Sequence, residues 1–112
     1  MSWLKLDDSF PEHEKVADLT DKAFRVHVSA LCYAARNLTD GHLPRSVVKT
    51  LTLGKAAPIT ELLAVGLWDN NGNGYLIHDY LDYNPSREHV QAERERRQSA
   101  GRKGANNRWH KP

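Results

Sequence analysis

Cysteine is almost missing from this 112-residue sequence, in which Cys32 stands alone. One thiol cannot form an intrachain disulfide, whereas small secreted domains usually depend on several. Because Cys32 lies inside an apolar pattern of helical spacing, the sequence predicts a buried thiol. These features together predict a protein of a reducing compartment, which we take to be the cytoplasm.

Long hydrophobic runs are also missing. No apolar stretch approaches the roughly 18 residues of a membrane span, and the opening MSWLKLDD lacks the basic and apolar regions of a signal peptide. We therefore expect no membrane insertion. The sequence likewise lacks a glycine-rich phosphate loop, a nucleophile motif and a supported pair of carboxylates, so it predicts neither an enzyme nor a cofactor.

Metal ligands with paired spacing are a further absence. The sequence has 6 histidines, but none is spaced as in known zinc motifs. His78 with Asp79 and Asp82 comes nearest to a site, and a strand end followed by a helix cap explains these residues better. No metal site is predicted.

Charge is present but unevenly distributed. Residues 1–86 carry 8 Lys/Arg against 11 Asp/Glu, a net −3, whereas residues 87–112 carry 8 against 3, a net +5. Acidic residues are absent after Glu95. Such asymmetry points to a polyanionic partner, although a charged helix that is simply solvated gives the same pattern.

The strongest helical pattern covers residues 20–37, with Thr20 or Asp21 as the N-cap. One face is predicted to pack in the core, since its apolar residues are spaced 4, 3, 4, 3: Phe24, Val28, Leu31, Ala35 and Leu38. A short extended segment is expected at residues 42–44, because the residue before a proline avoids helical angles.

Two short helices are predicted at residues 45–51 and 58–65, separated by a turn at residues 52–57, which is a helix-turn-helix arrangement. Residues 66–85 follow directly and read as a β-hairpin: Leu67-Trp68 and Tyr75-Leu76-Ile77 flank a turn rich in Asn and Gly. The predicted fold is mainly α with a small β-hairpin, a winged helix-turn-helix in which Leu67, Trp68, Leu76 and Ile77 close the core.

A polar helix is predicted from Arg87 to about Ala100, supported by an i,i+4 pair of Glu93 and Arg97. The last segment has no periodicity and two glycines, which predicts flexibility. The expected organisation is a winged-helix domain at residues 1–83, a charged C-terminal helix at 84–100 and a flexible basic tail at 101–112.

Four segments together resemble a known family: WLKLDDSFPEHEKV, ALCYAARNLTDGHLP, the hairpin GLW…GYLIHDYLDYNPSREHV, and RKGANNRW. They are similar to the N-terminal domains of small phage and prophage proteins of actinobacterial type, related in outline to replisome organisers and other replication-initiation proteins. The resemblance covers nearly the whole chain. It implies a winged-helix domain that binds DNA or self-associates at a replication origin, and it supplies no base-reading residues.

Candidate DNA contacts fall into four groups, of which the first three belong to the predicted helix-turn-helix and its wing. Around the helix-turn-helix, Arg45, Lys49 and Lys55 can hold phosphates, although surface cations are common on any soluble domain. The second helix exposes Thr60, Glu61 and Ala64 without Arg, Lys, Asn or Gln, so a helix that only packs is at least as consistent with it as a base reader. At the wing tip, Asn71 and Asn73 can reach phosphates, but turn geometry already explains them.

The basic C-terminal segment is the strongest electrostatic candidate, because a cationic arm gains affinity by releasing counterions from DNA. Its predicted contacts are Arg94, Arg97, Arg102, Lys103 and Arg108. A solvated linker to a further segment is the alternative interpretation.

Two functional hypotheses follow. The first is a DNA-binding winged-helix protein of phage or prophage type, acting on duplex DNA in replication initiation or transcriptional regulation as a homodimer or higher homo-oligomer. The second is a module for homo-oligomerisation or protein interaction that docks on replication proteins without reading DNA sequence.

Overall fold

The protein is mainly helical and carries one small antiparallel sheet. A computed structural model describes the backbone of residues 3–78, 80–83 and 86–109, and the side chains of these residues except 82, 83 and 102–109. After a 3-10 turn at Phe10–Glu12, the elements follow in the order α1 (Glu14–Ala17), α2 (Asp21–Asn37), β1 (His42–Pro44), α3 (Arg45–Leu51), α4 (Ala57–Ala64), β2 (Trp68–Asn70), β3 (Gly74–Ile77), α5 (Tyr80–Tyr83) and α6 (Arg87–Trp109).

Helix α2 runs through the centre of the domain. Thr20 is its N-cap, and its Oγ1 accepts a hydrogen bond from the Ala23 backbone N–H at 3.3 Å. The predicted span is confirmed, but the predicted buried face is wrong. Of that face only Leu31 is fully buried, and the residues that do face the core are Ala23, Val26, His27, Ala30, Leu31 and Ala34.

The buried face of α2 is offset by about one residue, or 100° of rotation, because the core uses small side chains there. Three alanines let α4 and the sheet approach the helix closely, while larger side chains such as Phe24 lie half-buried at the edge. The same rotation places Cys32 outside. The prediction of a buried thiol is therefore wrong, since Cys32 is exposed.

The sheet is three-stranded and has the order β1-β3-β2. β2 and β3 form the predicted hairpin, with Trp68 opposite Ile77, and β1 adds to β3 with Leu43 opposite Tyr75. Trp68 and Leu43 are each 1% exposed and Ile77 is 3% exposed, so the inner side of the sheet closes the core. The predicted core residues Leu67 and Leu76 are only half-buried.

Helices α3 and α4 stand between β1 and the hairpin. α3 begins and ends where the sequence predicts, and α4 is displaced by one residue from the predicted span. Each helix packs against the core through one fully buried side chain, Val48 of α3 with 1% exposure and Leu62 of α4 with 0%. The order of elements and the small sheet are compatible with a winged-helix-like fold.

The last helix, α6, is longer than predicted. Its backbone continues to Trp109 and does not stop near Ala100, because Gly101 and Gly104 each weaken a helix by only about 1 kcal/mol and neither forces a break. The carboxylate of Glu93 pairs with Arg96, three residues on, and not with Arg97 as predicted. None of the helices in the described part of the chain is long and apolar enough to cross a membrane.

The start of α6 is attached to the turn between α2 and β1. The Arg87 backbone N–H donates to Asp40 Oδ1 at 2.7 Å, and the His89 N–H donates to Ser86 Oγ at 3.1 Å. Asp40 itself has a positive φ of 55°. This turn therefore positions the carboxylate that caps the helix, where negative charge is favoured.

Candidate nucleic-acid interface

The turn between α3 and α4 depends on two residues with positive φ. Leu53 has φ 55° and Gly54 has φ 76°, and together they reverse the chain after α3. Beneath them Thr52 is 2% exposed, and its hydroxyl donates to the Val48 carbonyl oxygen at 2.9 Å. The turn is thus tied to the core from below, while Leu53 is left 80% exposed at its tip.

The outward face of α4 consists of small side chains. Pro58 and Leu62 are buried, whereas Ala57, Thr60 and Ala64 are exposed. The Thr60 hydroxyl donates to the Ala56 carbonyl oxygen at 3.2 Å, which leaves its methyl group and its oxygen lone pairs for an external contact. Because these side chains are short, a large partner can approach the backbone of α4 closely.

Glu61 does not belong to that outward face. Its Oε1 accepts the Thr20 backbone N–H at 2.6 Å and its Oε2 accepts the Thr20 hydroxyl at 2.8 Å. The prediction that α4 exposes Glu61 is wrong, because the half-buried carboxylate is bound at the N-terminus of α2 and does not face a phosphate beside α4. The helix-turn-helix therefore has no exposed acidic residue between residues 45 and 65.

Two lysines are neighbours beside the N-terminus of α4. The Lys55 side chain lies near Lys22, in the first turn of α2, and the interaction with Lys55 and its positive charge lowers the pKa of Lys22. Neither lysine forms an ion pair with a carboxylate within the described residues. A phosphate oxygen placed between them would bond to both and remove the repulsion.

Arg45 and Lys49 are four residues apart on α3, so they share one face, and both are exposed. The Arg45 guanidinium donates to the Gly72 carbonyl oxygen at 3.0 Å, which ties the start of α3 to the wing tip. One predicted phosphate contact thus also supports the wing.

The wing-tip amides are partly engaged within the protein. The Asn71 side-chain amide bonds His42 Nδ1 at 2.8 Å, and the Asn73 backbone N–H donates to the Asn71 carbonyl oxygen at 2.6 Å. Both residues are exposed. Asn73 keeps its side-chain amide for the outside, whereas Asn71 acts first as a link between the hairpin and β1.

The predicted arginines of α6 lie apart from the helix-turn-helix. Arg94 and Arg97 are exposed, and no hydrogen bond or ion pair among the described residues joins them to α3 or α4. Arg102, Lys103 and Arg108 lie in the helical backbone, but their side chains fall outside the described residues. The structure therefore places Arg45 beside the wing tip and Lys55 near Lys22. The arginines of α6 are not joined to this group.

The region around His78 is a pair of side chains across the hairpin. His78 Nδ1 lies 2.9 Å from Asp69 Oδ2. Asp79 and the side chain of Asp82, the other members of the sequence-level cluster, lie outside the described residues. Within the described residues no group of three or more His, Cys, Asp and Glu side chains converges.

Sequence reasoning missed the cations on α2. Lys22 and Arg25 are exposed, and with Cys32 and Arg36 they mark the outer face of that helix at spacings of 3, 7 and 4. This helical spacing was available in the sequence, but assigning the buried face to the wrong set of residues concealed it.

No protein-family model, no curated protein and no solved structure matches this chain.

Proposed function

We propose that this protein is a winged helix-turn-helix protein that binds duplex DNA, with α4 in the major groove and the β2–β3 hairpin as the wing. One observation carries the proposal: the helix-turn-helix exposes Arg45, Lys49 and Lys55 but no acidic residue, because Thr20 holds the carboxylate of Glu61. Cations grouped on one surface attract polyanions, and DNA phosphates are such anions.

The position of Glu61 supports the same surface. Because Thr20 holds its carboxylate, no acidic side chain of α3, α4 or the turn between them is exposed, whereas Lys49 and Lys55 are. α4 has no side-chain cap, so its first backbone N–H groups add to the favourable potential for a phosphate beside Lys55. Asp21, in the first turn of α2, directly precedes Lys22 and is the acidic residue nearest to it along the chain.

Base recognition by α4 is apolar in this proposal. The exposed side chains Ala57, Thr60 and Ala64 cannot form the two-bonded contacts that Arg makes with guanine or Asn with adenine. Methyl groups of Ala and Thr instead pack on the C5-methyl group of thymine. The protein should therefore prefer sites with thymine in the major groove, at a modest level of discrimination.

Arg45 and α6 supply further contacts with the backbone. Arg45 sits between α3 and the wing tip, where one cation serves two elements. Arg94 and Arg97 are exposed on a helix that continues away from its attachment at Asp40, and they add affinity without sequence information. Action in phage or prophage replication initiation or transcriptional regulation, as a homodimer or higher homo-oligomer, rests on the sequence resemblance.

A salt titration tests the phosphate contacts. Binding of the full chain to a fluorescent duplex of random sequence is measured by anisotropy at several salt concentrations, for the wild type, Lys55→Gln and Arg36→Gln. Lys55→Gln should weaken binding about fivefold to tenfold and reduce the slope of log K against log salt by about one.

Arg36→Gln is the matched control, because it removes one exposed cation near the other end of α2, about 20 Å from Lys22. It should change binding far less than Lys55→Gln. Equal losses in the two variants would show that charge alone, and not this surface, attracts DNA. No binding by the wild type at low salt would reject the proposed function.

A second experiment tests recognition by α4. The wild type is titrated with duplexes of one thymine-rich sequence, made either with thymine or with uracil, which lacks only the C5-methyl group. Uracil should weaken binding about threefold to tenfold, and Thr60→Ser, which removes the matching methyl group, should reduce this difference. A thymine preference that survives intact in Thr60→Ser would refute the assignment of Thr60.

The exposed turn favours a second candidate function, a module for protein interaction. Leu53 is 80% exposed and has a positive φ of 55°, so an apolar side chain is presented outward at a conformational cost. A partner that covers Leu53 would account for that arrangement. Sedimentation at several concentrations tests the version in which the partner is a second copy: Leu53→Ser should abolish association, and a wild type that stays monomeric would reject it.

A further inference from the structure

A cavity of about 310 Å³ lies on a different part of the molecule from the helix-turn-helix. Its wall is formed by the N-terminal segment, α1, α2 and the end of the hairpin, with apolar side chains that include Phe10, Val16, Leu31 and Ile77. This volume is at the lower end of the range of small-molecule sites, which is about 300 to 1,000 Å³. An apolar wall of this size suits a ligand of about ten to fifteen heavy atoms.

His27 brings a polar atom to this wall. The side chain is 3% exposed and stacks against Phe10, with ring centroids 5.9 Å apart. Its Nδ1 accepts a hydrogen bond from Trp68 Nε1–H at 3.0 Å. The neutral ring therefore carries its proton on Nε2, and Nε2–H has no hydrogen-bond partner among the described residues.

His27 Nε2 is not sealed from the surface, since the buried side-chain nitrogen or oxygen atom without a hydrogen-bond partner among the described residues is Thr39 Oγ1. His27 lines the cavity, so an acceptor atom of an occupant can supply the missing bond. Protonation does not offer an alternative, since burial lowers the pKa of His27 to about 4.

Lys15 provides a positive charge at the same cavity. It is half-buried, and its ammonium group lies beside Gly66. If Gly66 carried a Cβ atom, that atom would be 3.7 Å from Lys15 Nζ. No carboxylate of the described residues forms an ion pair with it. Asp7, which also lines the cavity, is occupied by Ser9, whose backbone N–H and hydroxyl donate to its Oδ1 at 2.8 and 2.5 Å.

We propose that this cavity binds a small apolar carboxylate, such as a medium-chain fatty acid. The hydrocarbon part packs against the apolar wall, and the carboxylate accepts hydrogen bonds from His27 Nε2–H and the Lys15 ammonium. A ligand with one anionic end and one apolar end is the chemistry that satisfies both groups and the wall at once. This site goes beyond the proposed DNA-binding function and does not depend on it.

The test uses octanoate as the probe and 1-octanol as its uncharged counterpart. Because Trp68 donates to His27, an NMR titration can follow the Trp68 indole N–H and the His27 ring of the full chain. Octanoate should shift both signals in a saturable way below about 5 mM, and 1-octanol should bind about tenfold more weakly, since it lacks the charge that Lys15 pairs with.

Lys15→Gln is the decisive variant, because it removes the charge and keeps the Lys15 backbone N–H, which donates to His13 Nδ1 in the cap of α1. It should weaken octanoate binding about tenfold and leave 1-octanol unchanged. Lys49→Gln, on α3, removes the same charge away from the cavity and should change neither. The absence of a saturable shift with octanoate, or equal binding of octanoate by Lys15→Gln and the wild type, would overturn the proposal.

Discussion

Replacing Gly74 by alanine adds a single methyl group and should lower the stability of the fold strongly. Gly74 begins β3, is buried, and pairs with Pro44 of β1. A Cβ at this position would lie 2.2 Å from the Leu43 carbonyl oxygen and 3.2 Å from the Leu43 carbonyl carbon. Both are backbone atoms, so no side-chain rotation can relieve the clash.

To accommodate Gly74→Ala, β1 and β3 must separate by about 1 Å at that point. Overpacking of this kind costs about 1 to 3 kcal/mol, and each ladder hydrogen bond that is weakened adds about 1 kcal/mol. Because Leu43 is 1% exposed, the displaced strand also disturbs the core. We expect a loss of about 3 kcal/mol in the free energy of unfolding.

Gly72→Ala is the matched control within the same hairpin. Gly72 has a φ of 65°, but a Cβ there would meet no atom within 4 Å. Only backbone strain of about 1 to 2 kcal/mol is expected, so Gly74→Ala should be less stable than Gly72→Ala by about 1 to 2 kcal/mol.

Urea and thermal unfolding of both variants, followed by circular dichroism, check this prediction. For a domain of this size about 1 kcal/mol corresponds to a change in Tm of about 4 to 8 °C. The reasoning would be refuted if Gly74→Ala were as stable as Gly72→Ala, because the close approach of Gly74 to β1 would then have no energetic weight.

Three further outcomes follow from the described geometry. Because burial lowers the pKa of His27 to about 4, below its ordinary value of 6.5, the unfolded chain takes up the proton first. Stability should therefore be lost as the pH falls from about 6.5 to about 4, by up to about 3 kcal/mol at the acid end, and an NMR titration showing His27 protonated at about pH 6 would contradict this. Leu53→Gly should raise the free energy of unfolding by about 0.5 to 1 kcal/mol, read from the urea midpoint, because glycine adopts positive φ without strain while the lost side chain is 80% exposed. Glu61→Ala should lower the free energy of unfolding by about 1 kcal/mol, because it removes both oxygens that accept hydrogen bonds from Thr20. Glu61→Gln keeps one of these acceptors and should lower the free energy of unfolding by less. Equal stability of the wild type and both variants would show that the two hydrogen bonds contribute nothing to stability.

Sequence reasoning succeeds here where the signal is local. α3 and the hairpin are bounded by residues that decide backbone angles by themselves, such as Pro44 before the helix and the Asn-Gly turn between the strands. The lysines and arginines of the helix-turn-helix could be named for the same reason, because short helices place their polar residues outward.

The failures concern contacts between residues that are distant in the chain. Thr20 and Glu61 are 41 residues apart, as are His27 and Trp68, and no periodicity links the members of either pair. The buried face of α2 was misjudged because its alanines and a histidine are less hydrophobic than the neighbouring Phe24. Which face of α2 is buried depends on close packing against the neighbouring elements, and not on the hydrophobicity of its side chains.

The turn at Asp40 has a mechanical consequence for α6. The helix of 23 residues is about 35 Å long, and the Asp40 carboxylate holds its first residue. A rotation of about 10° about that point would move Arg94 by about 2 Å and residue 109 by about 6 Å. Because the attachment lies at one end, the same small rotation displaces the backbone of the last turn about three times as far as it displaces Arg94, so the position of the helix is fixed most closely in its first turns.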